Sequence, residues 1–299
     1  MIRHFLSLMD CTPKELRMLI ERAMTLKAIL HRREPHEYLR GSSLALIFEK
    51  SSTRTRVSFE AGITQLGGNS MFLAPAELQL GRGEPLEDTA RVVSRMVDAI
   101  VIRTHEHAKL AAFAEHSQVP VINALTDRFH PCQLLADIQT YFEHRGDIAG
   151  RTVAWIGDGN NVCQSWINAA RQFGFTLRIA TPAGYRPNPE ILGAAAGSAH
   201  LVETPEDAAR GADLVVTDTW ASMGQESEKE VRMRAFQGYC VTACLMDLAA
   251  ADALFMHCLP AYRGVEVAGE VIDGPRSVVW DEAENRLHAQ KALLEFLLA

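Results

Sequence analysis

The sequence has no apolar run approaching the roughly 18 residues that a membrane helix needs, which excludes a protein built on membrane-crossing helices. It has no block of lysine and arginine, and 30 basic residues against 37 acidic ones give a formal net charge of −7. A general nucleic-acid binder needs a basic face, so that class is set aside, although single cations can still hold a small anion. None of the six cysteines (Cys11, Cys132, Cys163, Cys240, Cys244, Cys258) stands in a C-x-x-C pair, and reduced, mostly buried thiols are expected. Gly157-Asp158-Gly159-Asn160-Asn161 lacks the G-x-G-x-x-G pattern, which argues against a nicotinamide-dependent dehydrogenase. There is no short internal repeat and no low-complexity tract. The opening residues, Met1 to Asp10, form an apolar stretch too broken and short for a secretory signal, so a cytoplasmic protein is expected.

What is present is a globular composition, 47% apolar and 22% charged, over 299 residues, enough for two domains of ordinary size. Thr12-Pro13-Lys14-Glu15 reads as a capping box, and Leu16, Leu19, Ile20, Ala23, Leu26 and Leu30 follow at helical spacing. Leu44 to Phe48 is a compact apolar run of strand length. Further strands are predicted at 71–73, 100–102 and 121–122, with helices at 86–96 and 106–116 and a long loop over 74–85. After a helix starting at Pro131 the alternation restarts, with strands at 152–156, 177–180, 214–217 and 254–256 and a last helix from Glu282. Regular alternation means parallel sheets with helices on both faces. The expected class is α/β, with two doubly wound parallel-sheet domains joined by interdomain helices.

Four segments carry chemistry. Ser51-Ser52-Thr53-Arg54-Thr55-Arg56 lies where a strand gives way to a helix, and a helix N-terminus with hydroxyls and an arginine makes an anion site. An ordinary Ser/Thr cap explains the same residues about as well. Arg54 and Arg56 point about 200° apart around the helix, so Arg54 is assigned to a ligand and Arg56 to a structural ion pair. His130-Pro131-Cys132-Gln133 enters a helix after a strand, where His130 is either a packed capping residue or a donor to a carbonyl oxygen. Asp218 follows the strand ending at Thr217, as a turn-forming or a substrate-binding acid. In His257-Cys258-Leu259-Pro260, the proline pushes Leu259 toward an extended conformation that leaves its carbonyl available. Cys258 is a buried thiol, a nucleophile or a polar contact. No other close ligands share a zinc-like spacing with His257, so no metal is expected.

In this order the four segments resemble the carbamoyltransferase family. Ser52-Thr53-Arg54-Thr55-Arg56 looks like its S-T-R-T-R motif and His130-Pro131-Cys132-Gln133 like its H-P-x-Q motif. Asp218-x-Trp220-x-Ser222-Met223-Gly224 and His257-Cys258-Leu259-Pro260 look like the segments that mark its ornithine branch. The likeness extends to Glu284-Asn285-Arg286; His105 and Trp166 depart from it outside the motifs.

The resemblance implies a carbamoyl-phosphate-binding domain over 1–133, a linking helix over 134–146, an ornithine-binding domain over 147–278, and a C-terminal helix over 279–299 that packs back on the first domain. Ser52, Thr53, Arg54, Thr55, Gln79, Arg103, His130, Gln133, Cys258, Leu259 and Arg286 would bind carbamoyl phosphate, with Arg103, His130 and Cys258 catalytic. Asn161, Asp218, Ser222 and Met223 would bind L-ornithine. A homotrimer or assembly of trimers is implied, with the loop from Pro75 to Glu84 reaching a neighbour's site. No cofactor, membrane or nucleic-acid partner is implied. Aspartate, N-acetylornithine and putrescine are rival acceptors, and a non-catalytic binding protein is the rival outside enzymes. Retention of Arg54, His130 and Cys258 argues against the last, and Asp218 suits a free α-ammonium.

Overall fold

The computed structural model describes residues 2–74, 83–195, 197–220 and 228–299. The chain folds as two compact units, Met1–Gln139 with Glu284–Ala299, and Thr140–Ala283. Among the described residues no helix is long and apolar enough to cross a membrane.

In the first unit, helix α1 (Pro13–His31) begins at the expected capping box. Glu15 N donates to Thr12 Oγ1 (3.3 Å) and Thr12 N to Glu15 Oε2 (2.8 Å), an exchange worth about 1 kcal/mol. Its buried face ends on Ile29 and not on Leu30, because the buried positions advance by threes through Ala23 and Leu26. There follow β1 (Ser43–Phe48), α2 (Thr53–Gln65), β2 (Asn69–Leu73), α3 (Leu86–Val93), β3 (Ala99–Arg103), α4 (His107–His116), β4 (Val121–Leu125) and α5 (Pro131–Arg145). The strands form one parallel sheet in the order β2-β1-β3-β4. β1 and β3 are buried almost throughout, as strands covered on both faces are.

The order reverses at β1, which pairs with β2 on one side and β3 on the other. At such a switch the connections after the two central strands diverge and open a crevice at their carboxyl ends. The register Phe48↔Arg103 brings the start of α2 and the side chain of Arg103 to that edge.

In the second unit come β5 (Thr152–Ile156), α6 (Asn161–Phe173), β6 (Thr176–Ala180), α7 (Pro189–Ala194), β7 (Ala199–Val202), α8 (Pro205–Ala209), β8 (Leu214–Thr217), α9 (Lys229–Ala235), α10 (Ala243–Met246), β9 (Leu254–His257) and α11 (Gly269–Ile272), and the start of α12 (Val279–Leu298), which belongs to the first unit from Glu284 on. This parallel sheet runs β7-β6-β5-β8-β9, and its switch lies between β5 and β8. Ala154, Ile156, Val215, Phe255 and Val279 belong to its core. Strand β7 carries no clear strand signal in the sequence because it is a short edge strand with His200 exposed. Helix α12 starts three residues before Glu282, so that Asp281 and Glu282 occupy its first turn, where the helix dipole favours acids. The unit boundaries fall inside α5 and α12.

Candidate functional site

In the first unit, the start of α2 is not an ordinary cap. Ser52 stands at the N-cap position with extended backbone, yet its side chain makes no cap hydrogen bond. Its hydroxyl donates instead to Thr55 Oγ1 (3.0 Å). Thr55 is buried and also accepts from Arg286 Nη2 (3.2 Å). Both lone pairs of that hydroxyl are therefore engaged, and its one proton is what it can offer a ligand. Arg286 donates through Nη1 to Gln133 Oε1 (2.6 Å), and Gln133 Nε2 donates to Asp137 Oδ1 (2.8 Å). A chain of buried, oriented polar groups thus joins the H-P-x-Q helix to the S-T-R-T-R turn through an arginine near the C-terminus.

Arg54 is exposed in the first turn of α2. Arg56 is turned away, paired with Glu60 (2.8 Å) and lying over the Phe72 ring (3.8 Å). Arg103 is buried at the end of β3. Burial, together with the guanidiniums of Arg286, Arg103 and Arg54, pushes the His130 imidazole well below the usual histidine range. It is therefore neutral at pH 7, and what it can donate is a neutral N–H. Because its folded pKa lies below the unfolded value of about 6.5, the stability linked to keeping it neutral is fully present above that pH and is lost below it, as the pH falls through the lowered folded pKa. Nitrogen NMR of the His130 ring is expected to report an imidazole still neutral where a free histidine is half protonated; titration near the ordinary value of about 6.5 would contradict this environment.

In the second unit, Asp218 follows β8 and is buried. Its Oδ1 accepts from Cys258 Sγ (3.2 Å) and Thr219 N (2.8 Å), and its Oδ2 from Asn160 Nδ2 (2.8 Å). A carboxylate offers about four lone-pair positions, so these three donors leave room for a substrate N–H. The Cys258 thiol donates its proton to the Asp218 carboxylate, as a polar contact does. Asn160 is the N-cap of α6, where its Oδ1 accepts from Val162 N (2.9 Å) and Cys163 N (3.1 Å). Asn161 opens the helix, its carbonyl accepting from Ser165 Oγ (2.7 Å).

Leu259 departs from the expected extended conformation: its φ is +57°, in the left-handed region, and the Leu259–Pro260 peptide bond is cis. A tertiary network holds this turn. Leu259 N donates to His257 Nδ1 (2.9 Å), His257 Nε2 faces Glu266 Oε1 (3.1 Å), and Tyr262 N donates to the same Glu266 oxygen (2.6 Å). Asp218, His257 and Cys258 bring ligand-type atoms within 4.8 Å of one another. Both His257 ring nitrogens are nevertheless engaged, so a cation there would have to break one of these bonds. A second such group, His31, Glu284 and His288, is a hydrogen-bonded cluster in which both Nε2 atoms meet Glu284 Oε1, at 3.1 and 3.4 Å.

Several contributors were not read from the sequence. Asn160 orients Asp218, and its signal was its position just before a helix. Asp158 and Arg232 form a buried ion pair (2.7 Å), and neither lies in a recognisable motif. Gly159 permits a close approach of backbones: an added Cβ would lie 2.3 Å from Pro187 N and 2.6 Å from Tyr185 O. Gly159→Ala is therefore expected to destabilise the fold by roughly 3 kcal/mol, read as a lower denaturation midpoint; an unchanged midpoint would refute the contact. Gln79, Ser222 and Met223 lie outside the described residues.

Residues 3–143 match the family model described as aspartate/ornithine carbamoyltransferase, carbamoyl-P binding domain, and residues 149–297 match that of the Asp/Orn binding domain. The chain is 65% identical over 297 residues to an ornithine carbamoyltransferase of Nitrosococcus oceani, covering 99% of this chain and 98% of that protein. It is 60% identical to ornithine carbamoyltransferase 1, anabolic, of Pseudomonas savastanoi pv. phaseolicola, covering 99% and 97%. The crystal structure of ornithine carbamoyltransferase from Burkholderia thailandensis superposes with a TM-score of 0.93 at 53% identity, covering 99% of each chain.

Proposed function

This chain belongs to the aspartate/ornithine carbamoyltransferase family, and from that premise we propose that it transfers the carbamoyl group of carbamoyl phosphate to the δ-amine of L-ornithine, giving L-citrulline and phosphate. Asp218 carries the choice of acceptor. A buried carboxylate with three donors in place and room for another suits the α-ammonium of a free amino acid. An N-acetylated ornithine lacks that ammonium, and putrescine has no α-amino acid group. The synthetic direction is supported by the relative whose name includes "anabolic".

The δ-amine must be neutral to attack, and its ordinary pKa is near that of lysine, about 10, so it sheds a proton on binding. Its lone pair adds to the carbamoyl carbon, the carbonyl becomes an oxyanion, and collapse of the tetrahedral species expels phosphate. Arg103, the neutral His130 and the Thr55 hydroxyl are assigned to the carbamoyl oxygen; one such preorganised donor is worth about 3 kcal/mol in the transition state. Arg54, Ser52, Thr53 and the first turn of α2 are assigned to the phosphate. Arg286 and Gln133 complete the carbamoyl pocket, with Arg286 also holding the Thr55 hydroxyl in place. Asn161 and Asp218 take the amino-acid end of ornithine, while Cys258 and the Leu259 carbonyl orient the δ-nitrogen. Cys258 acts as a polar contact in this scheme, and no covalent enzyme intermediate forms. The departing phosphate can take up the proton, and alignment of two bound substrates supplies much of the rate.

Gln79, Ser222 and Met223 are assigned by resemblance alone, as are the homotrimer and the domain limits 1–133, 134–146, 147–278 and 279–299. Six free cysteines are in keeping with a reducing compartment such as the cytoplasm. The decisive assay supplies carbamoyl phosphate with ornithine, N-acetylornithine, putrescine or aspartate and identifies the carbamoylated product. Citrulline is expected; carbamoyl-aspartate without citrulline would overturn the acceptor assignment.

A further inference from the structure

We propose that Gln290 is a positioning residue for carbamoyl transfer: one buried amide aims the Arg286 guanidinium at Thr55 and Gln133 and also holds the first turns of α2. The inference rests on the reading of Arg286 and Thr55 given above. Gln290 is completely buried and stands one helical turn after Arg286 on α12. Only one orientation of its amide satisfies both neighbours. In it Nε2 donates to Ser58 Oγ (2.6 Å), while Oε1 accepts from Arg286 Nε (3.2 Å) and Nη2 (3.1 Å).

The two arms of this amide meet again on Thr55. Arg286 Nη2 reaches Thr55 Oγ1 (3.2 Å), and its Nη1 reaches Gln133 Oε1 (2.6 Å). Ser58, one turn further along α2, donates its hydroxyl proton to the Thr55 carbonyl (3.1 Å). Thr55 is thus held through its side chain by Arg286 and through its backbone by Ser58, and Gln290 joins the two holders. A guanidinium is planar, so pinning its Nε–Nη2 edge also sets the line along which Nη2 meets the Thr55 hydroxyl. That bond in turn leaves the Thr55 proton as the group directed to the carbamoyl oxygen.

Gln290 is not needed merely to keep α12 in place. The next residue, Lys291, is also buried and donates to Gln65 Oε1 (2.9 Å) at the far end of α2. Its Nζ lies 3.2 Å from His36 Nε2. His36 Nδ1 faces the Glu34 carbonyl at 2.9 Å and must carry the ring proton there, so Nε2 is the acceptor for Lys291. Helix α12 is therefore fastened to α2 without Gln290. An apolar residue of similar size at 290 removes the aim of Arg286 while the helix stays where it is.

Steady-state kinetics of the full chain tests this. Gln290→Leu is expected to lower kcat/KM for carbamoyl phosphate about 30-fold, the scale of a hydrogen bond to a charged group, with KM for ornithine within about two-fold of the parent. Gln290→Glu has the same size and keeps the acceptor for Arg286, so it should recover about tenfold of that loss. In an Arg286→Ala background, Gln290→Leu should change kcat/KM by less than about three-fold, because its effect passes through the guanidinium. A lower denaturation midpoint with unchanged kcat/KM would mean a merely structural role and would overturn the proposal. So would a glutamate variant no better than the leucine one, or the full loss repeated in the Arg286→Ala background. If Gln290→Leu does not fold, Ser58→Ala loosens the amide from its other side. It should cost about three-fold in kcat/KM for carbamoyl phosphate, and an unchanged value would again overturn the proposal. Failure of the parent protein to carbamoylate ornithine would sink the functional reading itself. An active parent with indifferent variants would sink only the role of Gln290.

Discussion

Replacing Arg54 with alanine is expected to lower kcat/KM for carbamoyl phosphate by about 1,000-fold while leaving the denaturation midpoint within about 0.5 kcal/mol of the parent. The size follows from removing a charged donor aimed at a phosphate whose negative charge grows as it leaves. Preservation of the fold follows from its exposure in the first turn of α2. Arg56 is the internal control. It lies two residues away, carries the same charge, and is bound to Glu60 and the face of Phe72. Arg56→Ala should change kcat/KM by no more than a few-fold, since an exposed ion pair is worth about 0.2–1 kcal/mol. Equal losses from the two substitutions would show that the turn acts through net charge alone and that the assignment of the phosphate to Arg54 is wrong. Near-parental turnover in a folded Arg54→Ala protein would do the same.

Asp218→Asn should cost about 1,000-fold in kcat/KM for ornithine, roughly the 3–5 kcal/mol attached to breaking a buried charge pair. Two effects act together. The substrate ammonium loses its counter-charge, and the new amide brings a donor among three existing donors, Cys258 Sγ, Thr219 N and Asn160 Nδ2. One of those bonds must break, so the Asn160 side chain is expected to shift as well. Carbamoyl phosphate binding, measured by calorimetry without ornithine, should be unchanged. A loss confined to carbamoyl phosphate would contradict the role given to Asp218.

Much of this protein is legible along the chain because its signals are local. The capping box at Thr12, the apolar run of β1, and the proline at the start of α5 each act within a few residues of themselves. Helical geometry alone also separated Arg54 from Arg56, and the Arg56–Glu60 pair is a contact within a single helix. The four motifs named the family for a similar reason, since each is a short stretch at the end of a strand. Some local signals were too weak or were overridden. Edge strand β7 is short, and Leu259 adopts a left-handed conformation within a network involving His257 and Glu266.

The sequence by itself thus determined the α/β class, most of the elements and the chemistry carried by each motif. Only the tertiary structure decided whether Ser52 caps its helix, what occupies the Thr55 hydroxyl, which group orients Asp218 and what neutralises Asp158. The bonds responsible join residues 231 apart for Arg286 and Thr55, 58 apart for Asn160 and Asp218, and 74 apart for Arg232 and Asp158. Periodicity and capping act over one or two turns. Whether a hydroxyl caps, bridges or binds substrate depends on which distant donor the fold delivers to it. The turn at Ser52 therefore read equally well as a cap or an anion site until Arg286 was seen bonded to Thr55.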